Sequence, residues 1–401
     1  MTVRRITVVG ASLAGLRAAE TLRDRGFDGS LTLIGDEPHR PYDRPPLSKQ
    51  VLQGTWEPEQ TFFRRKDGYD PLGLDMRLGV RAASVDLRAR RVTLADDTHI
   101  DYDRLIIATG ARVRTLPGIA PRPGLLTLRS LDDALALREA LTRATRVAIV
   151  GAGFIGLEVA ASCRARGVAV TAIESLPVPL APIVGPTLGG LIAAMHRDHG
   201  VDLRTGVTVA DVYGGSRVEG VALSDGSRVD ADLVVVGIGV VPNTEWLDGS
   251  GLTLDDGIVC DASCEAAPGV YAAGDVARVA NAWYGGSPRI EHWTNAVEQG
   301  VHAAKNALTG AQPGTSFSSV PYFWSDQYDR KIQFIGRARP HDEVVVVDGT
   351  LAERRLTALF RRGDRVVACL AVNQPQALIK YRRLLAGHAS WDAALSGVAS
   401  Q

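Results

Sequence analysis

The sequence contains little cysteine, and the spacing of its cysteines matches neither a thiol redox site nor a metal site. Among 401 residues the four cysteines are Cys163, Cys260, Cys264 and Cys369. Only Cys260 and Cys264 lie close together, and their C-x3-C spacing is neither the C-x-x-C of a redox pair nor that of paired zinc ligands. We therefore expect reduced thiols and no metal site.

Long apolar stretches and a net charge are also missing. No apolar run reaches the ~18 residues that a membrane-spanning helix needs. The first apolar run, Ile6–Val9, has the length of a strand and ends at a glycine, so we expect no secretory leader. Basic and acidic residues balance at 45 each, which gives no global signal for nucleic acid or a membrane surface. We expect a cytoplasmic protein of two or three domains.

The sequence does contain one nucleotide-binding pattern twice. In each copy a β-branched strand is followed by a glycine turn, an alanine-rich helix and a second strand that ends near an acid. The later copy has the complete G-x-G-x-x-G pattern, at Gly151, Gly153 and Gly156. The first glycine permits the tight turn, the second lets a pyrophosphate approach the backbone, and the third lets helix and strand pack closely. The helix N-terminus then presents free N–H groups to the phosphates.

The earlier copy departs from this pattern at its second glycine. Ser12 occupies that position, and the whole turn reads Gly10-Ala11-Ser12-Leu13-Ala14-Gly15. Because serine is small and its hydroxyl can donate to a phosphate oxygen, we expect this turn to bind a dinucleotide as well.

An acid follows each turn at the spacing of a ribose-binding residue. Asp36 lies 21 residues after Gly15 and Glu174 lies 18 residues after Gly156, against about 20 in dinucleotide sites. Glu37 is an alternative to Asp36. Either copy alone could be a strand–turn–helix unit without a ligand, but two copies with two acids favour two dinucleotide sites.

A second strand motif is also duplicated. The ranges Tyr102–Gly118 and Ala231–Asn243 each combine an acid, an apolar strand and a glycine turn, and each would complete one nucleotide-binding unit. Later, Gly269–Val279 predicts a strand that ends at Gly274-Asp275. An aspartate at the carboxyl end of a strand lies where ligands bind in open α/β sheets.

The order of these motifs resembles that of the two-dinucleotide flavoproteins of the glutathione-reductase superfamily, over essentially the whole chain. The resemblance implies that the first turn binds FAD and that the second binds NAD. Longer stretches resemble the FAD-dependent NADH:ferredoxin and rubredoxin reductases of bacterial oxygenase systems, namely His39–Lys49, Ile290–Gly300, Phe323–Asp329 and Gly363–Pro375.

The fold that this resemblance implies is α/β, with two Rossmann-like dinucleotide-binding domains and a C-terminal α+β domain that contains an antiparallel sheet. The expected FAD-binding domain comprises residues 1–113 and 250–323, the NAD-binding domain 114–249 and the C-terminal domain 324–401. In the last of these, Asp348-Gly349 and Gly363-Asp364 predict hairpin turns. We expect a monomer or a weak dimer.

The lack of cysteine bears on the chemistry that the resemblance implies. Disulfide reductases of this superfamily pass electrons through a cysteine that faces the flavin, and no cysteine precedes Cys163 here. The resemblance therefore implies that NADH gives hydride to FAD, which passes single electrons directly to an acidic two-iron ferredoxin. That ferredoxin would serve a thiolate-haem monooxygenase or a ring-hydroxylating dioxygenase. A rubredoxin reductase, an NADH oxidase and a flavoprotein related to apoptosis-inducing factor are the alternatives.

The resemblance also assigns catalytic and binding residues. Lys49 would lie beside the flavin as a catalytic cation, and Glu158, also catalytic, would face the nicotinamide pocket and could pair with Lys49. A solvated lysine and an ordinary helix-surface acid are the alternatives. The other residues expected at FAD are Gly10, Ser12, Leu13, Ala14, Gly15, Asp36, Glu37, Arg44, Ala83, Thr109, Gly110, Arg129, Asp275 and Trp293. Those expected at NAD are Gly151, Gly153, Phe154, Ile155, Gly156, Glu174, Ile238 and Gly239.

Charged residues give two further expectations. Glu174 would accept hydrogen bonds from the adenosine ribose and repel a 2′-phosphate, and Gly167–Met195 contains no Lys or Arg, so NADH should be preferred to NADPH. An acidic ferredoxin would dock on basic side chains, because opposite charges steer association. The candidates, each of which could also be a solvated surface charge, are Arg64, Arg65, Lys66, Arg330, Lys331, Lys380, Arg382 and Arg383.

Overall fold

The computed structural model of the chain describes residues 3–63, 68–283, 285–309 and 316–396. Its strands are β1 (Arg5–Val9), β2 (Ser30–Gly35), β3 (Leu74–Leu78), β4 (Ala82–Asp86), β5 (Arg91–Leu94), β6 (His99–Asp101), β7 (Arg104–Ile107), β8 (Ala111–Val113), β9 (Leu125–Thr127), β10 (Arg146–Val150), β11 (Ala169–Glu174), β12 (Val201–Thr205), β13 (Val209–Tyr213), β14 (Gly220–Leu223), β15 (Arg228–Asp230), β16 (Leu233–Val236), β17 (Val240–Pro242), β18 (Ile258–Cys260), β19 (Glu265–Ala267), β20 (Val270–Ala272), β21 (Ala277–Val279), β22 (Tyr322–Gln327), β23 (Arg330–Gly336), β24 (Glu343–Thr350), β25 (Arg355–Arg362) and β26 (Arg365–Val372).

The α-helices are α1 (Leu13–Asp24), α2 (Leu131–Ala140), α3 (Phe154–Ala165), α4 (Ala181–Asp198), α5 (Trp293–Thr309), α6 (Pro375–Ala386) and α7 (Trp391–Ser396). A π-helical turn spans Leu47–Val51, and 3₁₀ turns span Pro58–Thr61, Asp70–Leu72, Glu245–Leu247 and Gly274–Val276. Over the described ranges, no helix is long and apolar enough to cross a membrane.

The chain forms two compact units. The first comprises Met1–Asp43, Glu59–Arg112 and Val241–Pro321. The second comprises Arg44–Pro58, Val113–Val240 and Tyr322–Gln401.

A six-stranded sheet in the order β19-β20-β7-β1-β2-β3 organises the first unit. The strands from β20 to β3 run parallel, and β19 joins the edge antiparallel. Every residue of β1 and β2 after the first is buried, as expected for central parallel strands that are covered on both faces. The parallel strands have the order of a dinucleotide-binding half. The first glycine turn follows β1, a central strand of this sheet.

A five-stranded parallel sheet in the order β12-β11-β10-β16-β9 repeats this arrangement in the second unit. Its central strand β10 is again buried after its first residue. The second glycine turn follows β10 just as the first turn follows β1. The sequence expectation of two Rossmann-like units is thereby confirmed.

The acids of the duplicated strand motif fasten neighbouring strands together. Asp103, before β7, accepts hydrogen bonds from the backbone N–H groups of Arg4 and Arg5 at 2.8 and 2.9 Å. Asp232, before β16, accepts hydrogen bonds from the backbone N–H groups of Thr145 and Arg146, at the start of β10, at 2.7 and 3.0 Å. In both units, therefore, this acid ties the strand that carries the glycine turn to the strand beside it.

The second unit also contains an antiparallel sheet in the order β22-β23-β26-β25-β24, with α6 and α7 packed on it. This confirms the expected C-terminal α+β arrangement. The hairpin turn at Gly363-Asp364 is confirmed between β25 and β26.

The hairpin turn predicted at Asp348-Gly349 is wrong. These residues lie within β24, where the register with β25 shifts, and the turn is formed by residues 351–354. Gly349 has φ +72°, and a Cβ there would lie 2.0 Å from the carbonyl oxygen of Arg355. The glycine therefore serves an irregularity inside a strand, a use that sequence does not distinguish from a turn.

Candidate active site

Glycine is required at the first position of both nucleotide turns. Gly10 and Gly151 have φ of +118° and +98°, a region that residues with a Cβ avoid. A Cβ on Gly10 would lie 2.0 Å from the carbonyl oxygen of Ala108, and one on Gly151 would lie 2.4 Å from that of Gly237. In each unit, the backbone at this glycine packs directly against the backbone just after the neighbouring strand, β7 in the first unit and β16 in the second.

The third glycine lets each helix begin close to its turn. A Cβ on Gly15 would lie 1.9 Å from the carbonyl oxygen of Gly10, and one on Gly156 would lie 2.1 Å from that of Gly151. Leu13 forms the buried start of α1. Both helices therefore direct their N-termini at the turns, as a dinucleotide site requires.

The second position of each turn is open. A Cβ on Gly153 would meet no atom within 4 Å apart from its chain neighbours and its own helix. Ser12 holds the same place before α1, and its side chain makes no capping hydrogen bond. By contrast, Ser130 and Asp133 close the N-terminus of α2 as a reciprocal capping box. Because α1 and α3 lack such a cap, their N–H groups can bind pyrophosphate, and both turns fit a dinucleotide.

The acid after the second turn is bound to that turn. Glu174 is buried at the end of β11, and one of its carboxylate oxygens accepts a hydrogen bond from the N–H of Ala152 at 2.9 Å. Its other oxygen accepts from the N–H of Leu176, also at 2.9 Å. The carboxylate is thus fixed beside the glycine turn, where a ribose-binding acid acts in dinucleotide sites.

Gly35, rather than an acid, is the structural counterpart of Glu174 after the first turn. It follows Ile34, which pairs with β1 in the same register in which the residue before Glu174 pairs with β10. A Cβ on Gly35 would lie 2.7 Å from the Cβ of Ala11, so a larger residue does not fit. Asp36 and Glu37, the acids expected at FAD, lie one and two positions after Gly35. Counting residues from the third glycine of each turn therefore does not pair structurally equivalent positions of the two copies.

These two acids have different surroundings. Asp36 is exposed, with a carboxylate oxygen 3.5 Å from the guanidinium of Arg81. Glu37 is half-buried and accepts a hydrogen bond from the Tyr42 hydroxyl. Ala83, also expected at FAD, is exposed on β4, in a three-stranded sheet separate from the one that carries the turn. Asp36, Glu37 and Ala83 therefore do not lie as close together as the glycines of the first turn do.

Thr109 and Gly110 lie at the carboxyl end of β7, next to the strand that carries the first turn. The Thr109 hydroxyl donates to the carbonyl of Asn243 at 2.9 Å, and the Asn243 amide donates to the carbonyl of Thr109 at 2.8 Å. Gly110 has φ +64°. This reciprocal pair holds the backbone that is expected to pass the flavin.

Asp275 lies in the 3₁₀ turn after β20, against the start of α1. A Cβ on the preceding Gly274 would lie 3.1 Å from the Cβ of Ala14. Trp293 begins α5, and its indole N–H donates to Asp43 at 2.7 Å. Asp275 thus directly follows a glycine that packs against the second residue of α1.

The residues expected at NAD surround the second turn. Ile238 follows β16, and its methyl carbon lies 3.4 Å from the position that a Cβ on Gly151 would take; Gly239 comes next, with φ +96°. Ile155, at the start of α3, is 50% exposed. Phe154 packs its ring edge-on against Phe323 at 4.8 Å between centroids, so it has an aromatic partner within the protein.

The pair expected between Lys49 and Glu158 is present. Lys49 lies in the π-helical turn and Glu158 in α3, and the Nζ and Oε2 atoms are 2.5 Å apart. The side chains are only 10% and 3% exposed. Removing one partner of a buried pair typically costs about 3–5 kcal/mol, because it leaves an uncompensated charge. A solvated lysine and a helix-surface acid are therefore excluded.

Two serines that were assigned no role from sequence bind the same carboxylate. Ser48 donates to Glu158 Oε2 at 2.5 Å, and Ser325 donates to Oε1 at 2.6 Å. Both serines are buried. Ser48 and Ser325 lie inside His39–Lys49 and Phe323–Asp329, two of the stretches that resemble the reductase family. The residues beside a serine in the sequence do not show which distant acid its hydroxyl will contact.

Arg44 and Arg129, expected at FAD, contact each other in the second unit. The Arg44 guanidinium donates to the carbonyl of Arg129 at 2.6 Å, and the Arg129 N–H donates to Asp133 at 2.9 Å. Lys49 belongs to this unit as well, whereas the remaining residues expected at FAD belong to the first.

The four cysteines are free and buried, as the sequence indicated. Burial raises the pKa of Cys163 and of Cys260 to about 12, and it also raises the pKa of Cys264 and of Cys369. At neutral pH these groups are thiols, so they are not the reactive thiolates that a disulfide relay uses.

Comparison with known proteins agrees with this geometry. Residues 4–300 match the family described as pyridine nucleotide-disulphide oxidoreductase, and residues 322–397 match the reductase C-terminal domain. Rhodocoxin reductase of Rhodococcus erythropolis is 38% identical over 385 residues, which cover 95% of this chain and 89% of that protein. The ferredoxin–NAD(+) reductase component of the anthranilate 1,2-dioxygenase system of Burkholderia cepacia is 38% identical over 396 residues, which cover 98% and 96%.

A solved structure gives the same result. The covalent putidaredoxin reductase–putidaredoxin complex matches with a TM-score of 0.92 at 33% identity, over 97% of this chain and 94% of the matched chain. The chain thus belongs to the pyridine nucleotide-disulphide oxidoreductase family, among the ferredoxin reductases that carry the reductase C-terminal domain.

Proposed function

We propose that the protein is an FAD-dependent ferredoxin–NAD(+) reductase, which takes hydride from NADH and passes single electrons to a two-iron ferredoxin that serves an oxygenase. The observation that carries the proposal is the buried Lys49–Glu158 pair in a chain that has two open glycine turns and only buried cysteines. The relatives support it, because one reduces the ferredoxin of a dioxygenase system and another matches in complex with putidaredoxin.

FAD, when bound, accepts a hydride and releases electrons singly, which links NADH to an iron–sulfur protein. We assign the FAD pyrophosphate to the N-terminus of α1, with Ser12 as a hydroxyl donor and Asp275 beside it. We assign the NADH pyrophosphate to the N-terminus of α3 and its adenosine ribose to Glu174.

Lys49 supplies a fixed positive charge in this mechanism. Glu158 holds the ammonium at 2.5 Å, and both groups are shielded from water. A charge that is in place before the reaction stabilises negative charge in the transition state without reorganisation, and low exposure reduces its screening.

We further propose the domain boundaries and the location of the protein. Residues 1–113 with 250–323 form the FAD-binding domain, 114–249 the NAD-binding domain and 324–401 the C-terminal domain; in support, β20 completes the sheet of β1 and β7. A cytoplasmic location follows from the use of NADH, and free thiols fit a reducing compartment. A monomer or weak dimer remains our expectation.

The ferredoxin contact is proposed for the basic face of α6. Arg382 and Arg383 are exposed there, and Ile379 beside them is 66% exposed, which combines charge with apolar surface. Lys331 and Arg330 lie beside the acids Asp326 and Asp329, at 3.3 and 3.4 Å. Lys380 is half-buried, with its ammonium 5.4 Å from the ring centroid of Tyr381. The remaining candidates, Arg64, Arg65 and Lys66, lie outside the described residues.

Charge reversal on α6 tests this contact. Arg382→Glu with Arg383→Glu should raise the KM for ferredoxin about tenfold and flatten its salt dependence, because steering weakens. NADH-driven reduction of ferricyanide should not change. Arg88→Glu with Arg143→Glu, at two exposed arginines elsewhere, is the control of equal charge change. If both double variants raised the KM for ferredoxin equally, only net charge would matter and α6 would not be the contact.

The function itself is tested with purified protein and three acceptors. NADH-dependent cytochrome c reduction should require a two-iron ferredoxin, and oxygen consumption should be slow by comparison. Rubredoxin that serves as well as ferredoxin would favour a rubredoxin reductase. Fast oxygen consumption without any carrier would contradict the proposal and favour an oxidase.

A further inference from the structure

A buried chain of hydrogen bonds leads away from Glu158. Ser325, which donates to the Glu158 carboxylate, accepts a hydrogen bond from the amide nitrogen of Gln327 at 3.0 Å. The amide oxygen of Gln327 contacts Nε2 of His196 on α4 at 2.8 Å. Nδ1 of His196 lies 3.1 Å from the hydroxyl of Tyr328. One network therefore joins α4, β22 and α3.

The direction of every hydrogen bond in this network is fixed by the carboxylate at its end. An ionised Glu158 only accepts, so the Ser325 hydroxyl must donate to it and must itself accept from the Gln327 amide N–H. The Gln327 oxygen then faces His196, so Nε2 of that histidine carries the proton. Nδ1 is left to accept from the Tyr328 hydroxyl.

His196 is a neutral member of the network. It has no exposed surface, and neither have Ser325 and Gln327. Burial lowers the pKa of His196 to about 4; the hydrogen bond with Gln327 opposes this and His199 adds to it. Burial also raises the pKa of Tyr328. The network therefore delivers an oriented hydrogen-bond donor to Glu158 without adding a second charge.

We propose that Ser325, Gln327 and His196 are positioning residues for the Lys49–Glu158 pair. Through Ser325 they hold the Glu158 carboxylate in one orientation, which in turn fixes the Lys49 ammonium that contacts its other oxygen. The inference rests on the proposed function, in which Lys49 acts on the reaction. A path for protons is a poor account of the same contacts, since the amide of Gln327 would have to pass a proton through a high-energy imidic form.

The first test reads the network without any substitution. Nitrogen-15 NMR of the histidine rings in the folded holoenzyme should show His196 with Nε2 protonated and Nδ1 bare across the neutral pH range. A proton on Nδ1 would reverse the order of donors and overturn the inference.

The second test removes the oriented donor. Ser325→Ala, and separately Gln327→Met, should slow NADH-driven flavin reduction about tenfold while the KM for NADH changes less than twofold. The acid limb of the pH profile should move up by about one unit, which corresponds to a tenfold change in proton affinity. In infrared pH-difference spectra, a protonated carboxyl band that is absent from the Glu158→Gln background should appear at correspondingly higher pH.

Two controls separate positioning from packing. Thr357→Val changes a buried hydroxyl on β25 of the same sheet that has no hydrogen-bond partner in the described structure, and it should leave rate, pH profile and band unchanged. Ser325→Ala added to Glu158→Gln should have no further effect on the rate, because the two residues act as one unit.

The outcomes of these tests are distinct. Lower melting temperatures for Ser325→Ala and Gln327→Met, with the pH profile and the infrared band unmoved, would show a purely structural network and overturn the inference. If the infrared carboxyl band moved while the rate of NADH-driven flavin reduction stayed the same, the positioning of Glu158 would be supported. The role of Lys49 in the proposed function would then be contradicted.

Discussion

At the scale of single residues, the two nucleotide turns depend on where a side chain would point. At Gly10 and Gly151 an added Cβ runs into a neighbouring backbone carbonyl, whereas at Gly153 it enters open space. The fold requires glycine at positions 10 and 151, whereas at position 153 we expect the bound pyrophosphate to require it. The same motif therefore contains residues whose loss should have different consequences.

A pair of alanine substitutions separates these two roles. Gly151→Ala should lower the free energy of unfolding by about 3 kcal/mol, because it combines a positive φ with a backbone clash. Gly153→Ala should leave the melting temperature unchanged and raise the KM for NADH about tenfold, because its methyl group occupies the approach of the pyrophosphate. Thermal unfolding and NADH kinetics measure the two effects. A stable Gly151→Ala protein would show that the turn is less constrained than described.

Nicotinamide choice is also set by single residues. Glu174→Ala combined with Leu176→Arg should shift the ratio of kcat/KM values from NADH toward NADPH by at least about tenfold, because the repulsive carboxylate is removed and a phosphate-binding cation is added. Leu176 is 38% exposed, so the arginine can reach solvent. Leu176→Arg alone, with Glu174 in place, is the control. Equal kcat/KM for both nucleotides in the parent protein would contradict the role of Glu174.

At the scale of elements, Asp103 and Asp232 each stabilise the contact between two neighbouring parallel strands. Burial alone would raise the pKa of Asp232, but hydrogen bonds from Thr145 and Arg146 outweigh it and hold the pKa below its ordinary value. A depressed folded pKa gives stability that is present above the unfolded pKa, near 4, and is lost as pH falls through the folded value.

Asp232→Asn should therefore destabilise the protein in a pH-dependent way. We expect a loss of about 1–2 kcal/mol at pH 7 that shrinks as pH falls below about 4, because the parent carboxylate is then protonated as well. Denaturant unfolding at several pH values measures it. Asp24→Asn, at an exposed position on α1, is the control and should have little effect at any pH. A deficit independent of pH would mean that the ionised carboxylate is not what stabilises the strands.

The sequence predicts the elements of this fold well and their fine placement less well. Both glycine turns and the parallel strands around them follow from motifs, because each motif needs one backbone geometry. The Lys49–Glu158 pair was expected only from the family resemblance. The offset of Asp36 by one position depends on steric contact between Gly35 and Ala11, which no spacing rule contains. The roles of Ser48 and Ser325 depend on contacts across more than 100 residues of chain, which local sequence does not specify.

At the scale of the whole molecule, the protein converts a hydride into single electrons. Two dinucleotide-binding sheets, an antiparallel C-terminal sheet and buried thiols together fit direct transfer to a protein carrier. The match to relatives spans 95–98% of this chain, so the whole architecture and not one domain carries the similarity.

The most direct measurement is an anaerobic titration of the FAD-loaded protein with NADH in the presence of an excess of oxidised two-iron ferredoxin. Absorbance follows NADH consumption, the flavin and the iron–sulfur centre in one experiment. We expect each NADH to reduce two ferredoxins and the flavin to be oxidised again at the end, since a hydride carries two electrons. A flavin that stays reduced by NADH while the ferredoxin remains oxidised would contradict it.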